Sequence, residues 1–136
     1  MRHLKNNKGA MSIELIAVVC VILFLIAFAI SIAPMFIYKG NQDDFADELM
    51  RTAELCGKTS CSELDDKYNT LCSSKKITPS VSWSGTDYLN SSKIQLNDNI
   101  SLTVTSEYRY EFFNFIPIDF TVSSKSTGTS EQFWKG

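Results

Sequence analysis

The sequence predicts an α+β fold: a long N-terminal transmembrane helix that continues into an amphipathic helix packed on a small antiparallel β-sheet. Three observations lead there. From Leu15 to Tyr38 the chain carries no Asp, Glu, Lys, Arg, His, Asn or Gln. Beyond that run, apolar residues recur three and four apart as far as Cys72, and from Ile77 onward the spacing shifts to two. Helices followed by meandering strands form a head in which a helix lies across one face of an antiparallel sheet.

The apolar run makes a helix of roughly 36 Å at about 1.5 Å per residue, longer than a hydrocarbon core of about 30 Å. Ala27-Phe28-Ala29 has the form of a signal-peptidase site, but apolar residues continue past it, whereas a secretory h-region ends after about 7–15 residues. A lipoprotein signal is excluded by the bulky Val19 before Cys20, which leaves Cys20 as a packing or lipid-facing side chain. Arg2, His3, Lys5 and Lys8 precede the span, and only Lys39 follows it before the acidic cluster Asp43, Asp44, Asp47 and Glu48. The positive-inside rule therefore places the N-terminus in the cytoplasm and the C-terminal domain outside the cell. Pro34 removes a helical hydrogen bond, so a bend is expected near Pro34 and Gly40.

In the exported part, Phe45, Leu49, Ala53 and Cys56 share one helical face, with Asp44, Asp47, Glu48, Arg51 and Glu54 largely elsewhere, and Gly57 supplies a stop. A second helix follows, with Ser62 expected as N-cap and Asp65 at the capping-box position. Leu64, Tyr68, Leu71 and Cys72 mark its inner face. Cys56, Cys61 and Cys72 lie close in sequence where a disulfide persists, but three thiols leave one over, and the sequence does not say which two pair. A bond from Cys72 to Cys56 or Cys61 would staple the second helix to the first.

Strands come next. Val81 and Trp83 alternate with serines, and Ile94 and Leu96 precede an Asn97-Asp98-Asn99 turn that leads into Ile100, Leu102 and Val104. Residues 93–96 and 100–112 are expected to pair as an antiparallel hairpin across that turn. The stretch "NFIP" turns the chain again, and Ile118, Phe120 and Val122 form a further strand.

Composition excludes much chemistry. The formal net charge is −2, no basic patch suggests nucleic-acid binding, and the single histidine, His3, lies in the leader. That removes a His-dependent triad and a His-rich metal site from the exported domain. The C-x4-C and C-x10-C spacings match no zinc module, so neither a metal nor another cofactor is expected. "CGKTS" at 56–60 ends like a phosphate-binding loop, but Thr52 stands where that motif needs glycine. No C-x-x-C redox pair occurs, and the sequons at Asn90 and Asn99 mark surface positions. Tyr108, Tyr110 and Phe112, with Phe113 and Phe115, read as core or sheet surface in preference to a ligand platform. Phe133 and Trp134 are expected either to close the core as a last strand or to contact a neighbouring subunit.

"Gly9-Ala10-Met11-Ser12-Ile13-Glu14", followed by an apolar helix and preceded by the short basic "MRHLKNNKG", resembles the class III leader of type IV pilins and pseudopilins. The resemblance implies cleavage by a prepilin peptidase after Gly9, Ala10 as the new N-terminus, and Glu14 as the glutamate that registers one subunit against the next. A carboxylate within an apolar span costs at least ~2–3 kcal/mol unless it finds a partner, and a new amine one turn away is such a partner. Within that family the chain is most similar to the TadE-like pilin proteins of tight-adherence systems, which also have an amphipathic helix and then strands like "SLTVTSEYRYEFFNFIPIDFTVSS". "RTAELCG", "SWS" and "GTSEQFWK" are similar to a family of short pilin-like proteins from Gram-positive bacteria. Type IVa pilins have phenylalanine at the first mature position and a proline nearer mid-helix, and major Tad pilins are shorter and have tyrosine after the glutamate. Ala10, the later Pro34 and Leu15 therefore favour a minor component.

The expected organisation is a cytoplasmic leader (1–9), a transmembrane helix (10–38), an extracellular helical segment (39–75) and an antiparallel β-sheet head (76–136). The function implied is that of a non-enzymatic pilin-like (TadE-like) minor subunit of a type IV/Tad pilus or related secretion system. Its implied partners are the prepilin peptidase, other pilin-like subunits, the assembly platform and the membrane. The competing expectation is an unprocessed single-pass anchor carrying a small extracellular adhesion or sensor domain.

Overall fold

No glycine or proline falls between Ala10 and Ala33, and the backbone there is helical throughout. The computed structural model describes residues 8–112 and 116–135, with residues 8–12 and 112 described by backbone alone. Its elements are α1 (Lys8–Cys56), α2 (Ser62–Lys75), β1 (Ser80–Ser82), β2 (Asn99–Phe112) and β3 (Ile116–Thr129). The class is α+β, as the sequence predicts. Helix α1 continues through Pro34 and Gly40 without interruption. The chain divides into two compact units, one ending at Pro34 and one beginning at Met35.

In the first unit the large side chains from Ile13 to Ile30 are exposed on every side of α1. A helix apolar all round needs an apolar surrounding. Among the described residues, this helix is long and apolar enough to cross a membrane.

In the second unit α1 is amphipathic. Gln42, Phe45, Ala46, Leu49, Met50 and Ala53 are all buried, a stripe whose spacing of three and four follows one helix face. They pack with Leu64 and Leu71 of α2, Ile77, Ile94, and Ile100, Leu102 and Val104 of β2. The Phe45 and Tyr68 rings meet edge to face at 5.6 Å, an arrangement aromatic quadrupoles favour.

The sheet order is β1-β2-β3, with both pairings antiparallel. Strand β2 is central: Val104 opposes Val81 on one side and Ser124 on the other. The one buried polar side chain in the α1 stripe joins helix and sheet. The Gln42 amide donates to the Val104 and Val122 carbonyls, each at 2.8 Å. Its own oxygen accepts from the Ser106 hydroxyl, which accepts in turn from Tyr38 at 2.9 Å. Buried polar groups are tolerated when paired in this way.

A second polar line runs along the edge of α1. Lys39 pairs with Asp43 and donates to the Ser123 carbonyl and the Ser124 hydroxyl. Ser124 donates to Asp43, Ser126 donates to Asp47, and the Thr129 amide donates to Glu54. Residue numbers rise together on both partners, so β3 runs parallel to this part of α1.

Two expectations need correction. Residues 93–96 form no strand: Lys93 makes only isolated bridges to Lys58 and Asn90, and β2 takes β3 as its hairpin partner. Ile94 is nevertheless fully buried, so its apolar character served a loop anchor. The N-cap of α2 is Cys61, without a side-chain cap; its carbonyl accepts from the Leu64 and Asp65 amides, while Ser62 donates to Glu63. Of the two places expected for the tyrosines, core or sheet surface, the structure gives the second: the core ends at Val104 and Ser106, and Tyr108 and Tyr110 stand half-buried on the sheet beyond it. Tyr108 stacks on Tyr38 with centroids 4.2 Å apart. Phe113 and Phe115 lie outside the described residues.

Gln42→Leu keeps the volume but leaves the Ser106 hydroxyl and two carbonyls without this partner. It should lower head stability by about 2–3 kcal/mol, read by denaturant unfolding of the detergent-solubilised chain with Trp83 and Trp134 as reporters. An unchanged midpoint would show that the network is not stabilising. Asp43 provides a pH test. Its hydrogen bonds from Lys39 and Ser124 hold its carboxyl below the ordinary 3.8, so the unfolded chain takes up a proton there more readily than the folded head does. That stability is present at neutral pH and is lost as pH falls below the ordinary value through the folded one. Asp43→Asn should therefore destabilise at pH 7, and its deficit against wild type should shrink in acid titrations below pH 4.

Candidate functional site

Two regions of the chain bring chemistry-bearing residues together. The first is the start of α1. Gly9 and Ala10 lie in its first turn by backbone, and their side-chain surroundings are outside the described residues, as are residues 1–7. Helical geometry puts Glu14 one turn after Ala10 on the same face, and Glu14 is exposed.

The second region is the corner between α1 and α2. Helix α1 stops at Gly57, whose φ of 58° is left-handed and whose amide donates to the Ala53 carbonyl at 2.9 Å. Glycine takes this conformation without steric penalty. The corner brings the Cys56 and Cys61 sulfurs and a Glu63 carboxylate oxygen within 4.8 Å of one another. The Cys56 thiol donates to Glu63 at 3.9 Å. Burial, then the neighbouring Cys61 and Glu63, push the Cys56 thiol up to about 12. Serine, thiol and backbone donors hold the Glu63 carboxyl below its ordinary value. Nucleophilic cysteine chemistry needs the opposite shift.

All four cysteines are free thiols here, and the structure separates them. Cys72 lies about 16 Å along α2 from Cys61 at 1.5 Å per residue, on the face that packs with Tyr68 against the core. A staple from Cys72 to Cys61, or to Cys56 beside it, is therefore out of geometric reach. Cys20 is exposed on the apolar part of α1.

The C-terminal segment completes the corner. Trp134 donates through its indole to the Ile94 carbonyl at 3.1 Å and through its amide to Gln95 at 2.9 Å. Lys58 and Lys93 lie over its ring at 4.8 and 4.9 Å, cation–π contacts that hold the ring from both sides of the loop. Trp134 thus closes the corner as an irregular clamp and not as a strand, while Phe133 is 62% exposed. A hollow of about 390 Å³ lies beside it, lined by Thr52, Leu55, Cys56, Lys58, Cys61, Glu63, Gln132 and Trp134.

Sequence reasoning missed Glu63, Lys58 and Lys93 as members of this corner. Glu63 is two residues from Cys61, and a search that combined cysteine with carboxylate would have found it. The lysines had no local signal, because a loop distant in sequence brings Lys93 to Trp134.

Residues 18–135 match the family model described as a domain of unknown function, DUF4320. The chain belongs to this family. The matched span includes the rest of the apolar run, both helices of the head, the sheet and the Trp134 clamp, and begins after Glu14. No curated protein and no solved structure matches the chain.

A Cβ at Gly57 would overlap Gln132 and come within 3.1 Å of the Ser130 hydroxyl and the Trp134 indole nitrogen. Gly57→Ala should cost about 2–4 kcal/mol from left-handed strain and overlap together. Limited proteolysis should then release the C-terminal residues before the head unfolds. If Gly57→Ala melts like wild type with its tail protected, the clamp does not depend on this close approach.

Proposed function

We propose that this chain is a pilin-like, TadE-like minor subunit of a type IV/Tad pilus or related secretion system, cut by a prepilin peptidase after Gly9 and assembled through α1. The observation that carries the reading is Glu14, exposed on a helix that is otherwise apolar all round and one turn from the residue that would become the new N-terminus. In a bilayer or a bundle of such helices, that carboxylate needs a cation. The Ala10 amine of a neighbouring copy supplies one, and pairing sets the axial register between subunits.

The head supports the same role. Helix α1 is both the apolar element and the main layer of the head's core, so a pull on the filament reaches the head through continuous helix. The hairpin arm beyond Ser106 presents Tyr108, Tyr110, Ile118, Ile116 and Phe120 on one face by strand register, and Ile116 is 57% exposed. Such a face suits contact with another subunit. The upward shift of the Cys56 thiol supports a structural over an enzymatic role.

N-terminal sequencing of the membrane form should start at Ala10. Intact Met1, or a start near Ile30, would remove the reading. Glu14→Ala should leave the head folded while lowering incorporation into filaments by about 30-fold or more, the equivalent of the ~2–3 kcal/mol a buried unpaired charge costs. An uncleaved single-pass anchor would instead show unchanged display and function in that variant.

A further inference from the structure

The geometry points to a specific covalent modification of the head: Cys56 and Cys61 are joined as a disulfide after export, and Cys72 remains a thiol. The inference is independent of filament assembly and needs only that the head reach an oxidising compartment.

The pairing follows from where the two helices end. Cys56 is the last residue of α1 and Cys61 the N-cap of α2, so the four-residue turn between them points both side chains at the same place. Their sulfurs and the Glu63 oxygen lie within 4.8 Å of one another. Sulfurs so placed can approach bonding distance by side-chain rotation, a path that Cys72 does not have. The third exported thiol has no such access, because α2 carries it about 16 Å away. It packs with Tyr68, which donates to the Pro79 carbonyl at 2.8 Å.

The corner is also open to the chemistry. Cys56 and Cys61 are both partly exposed and line the hollow beside Trp134, so a thiol oxidant of the cell envelope in its disulfide form can approach. One cysteine, as thiolate, attacks a sulfur of that oxidant and displaces its partner thiolate, giving a mixed disulfide. The second cysteine then displaces the oxidant, forming the Cys56–Cys61 bond. Two electrons and two protons leave the head and end on the oxidant's dithiol.

The bond would fasten the corner on which the C-terminal clamp is built. Gly57 receives the Ile94 amide on its carbonyl at 2.9 Å, and Ile94 accepts in turn from Ser130 and Trp134. Closing the short loop removes freedom from the unfolded chain at the place where three distant segments must meet.

The full chain should be taken from the cell envelope with thiols alkylated at lysis, then unfolded and digested with trypsin without reductant. Cleavage after Arg51, Lys58 and Lys67 separates Cys56, Cys61 and Cys72 onto peptides 52–58, 59–67 and 68–75. The expected result is a linked pair of 52–58 with 59–67, lighter by two hydrogens than the free thiol peptides together, with Cys72 alkylated. Reduction should lower the melting midpoint of the head by about 5–10 °C, and Cys72→Ser should keep the link. A link to peptide 68–75, a link of 52–58 to a second copy of itself, or all three cysteines alkylated would each overturn the proposal. The last outcome with zinc found by elemental analysis would assign Cys56, Cys61 and Glu63 to a metal instead.

Discussion

Helix α1 changes its side-chain set along its own axis, and the head is built on the second of the two sets. From Ile13 to Ile30 its large side chains face outward on all sides. From Gln42 onward, one stripe is buried and most of the remaining positions are charged, with Thr52, Leu55 and Cys56 the exceptions. A helix satisfies its own backbone hydrogen bonds wherever it runs, so the only thing that must change is the side-chain set. Lys39 is the first charge after the apolar run, and it is already engaged with Ser123 and Ser124 of β3. The head therefore begins to hold the helix where the apolar run stops.

That hold is both apolar and polar. Phe45, Leu49 and Ala53 supply the helical side of the core, while Gln42 turns its amide onto carbonyls of two neighbouring strands. The outer line from Lys39 to Glu54 follows β3 in parallel. Between those residues the helix advances about 22 Å, and β3 from Ser123 to Thr129 advances about 20 Å, so the two repeats stay in step. Exposed pairs such as Lys39–Asp43 add little individually. The buried amide network carries the orientation, because rotating the helix would strand its donors.

The far end of α1 is fixed differently. Gly57 lets the chain turn within reach of Gln132 and Trp134, and Ile94 anchors an otherwise irregular loop to the same point. This corner joins the end of the chain to the end of the helix, so the head is closed at its last residues. The aromatic arm at the other end of the sheet has no such closure among the described residues.

Much of this was legible in sequence because it is local. The apolar run, the misplaced Glu14 and the stripe of Phe45, Leu49 and Ala53 are periodic features of a helix, and the alternation of Ile100, Leu102 and Val104 is a periodic feature of a strand. Period two, however, states which face a residue occupies and not which strand lies beside it. Residues 93–96 and 118–122 both alternated, and only the packed structure awarded β2 to the strand containing the second of these while using Ile94 to anchor a loop. Gln42 carried no signal in the sequence, since a buried amide is readable only from its partners. The sequence by itself determined where the chain is apolar, where it turns and which thiols exist. The tertiary structure alone decided strand partners, the Glu63 and Trp134 corner and the meeting of Cys56 with Cys61, because contacts between distant segments depend on how their surfaces compete to pack.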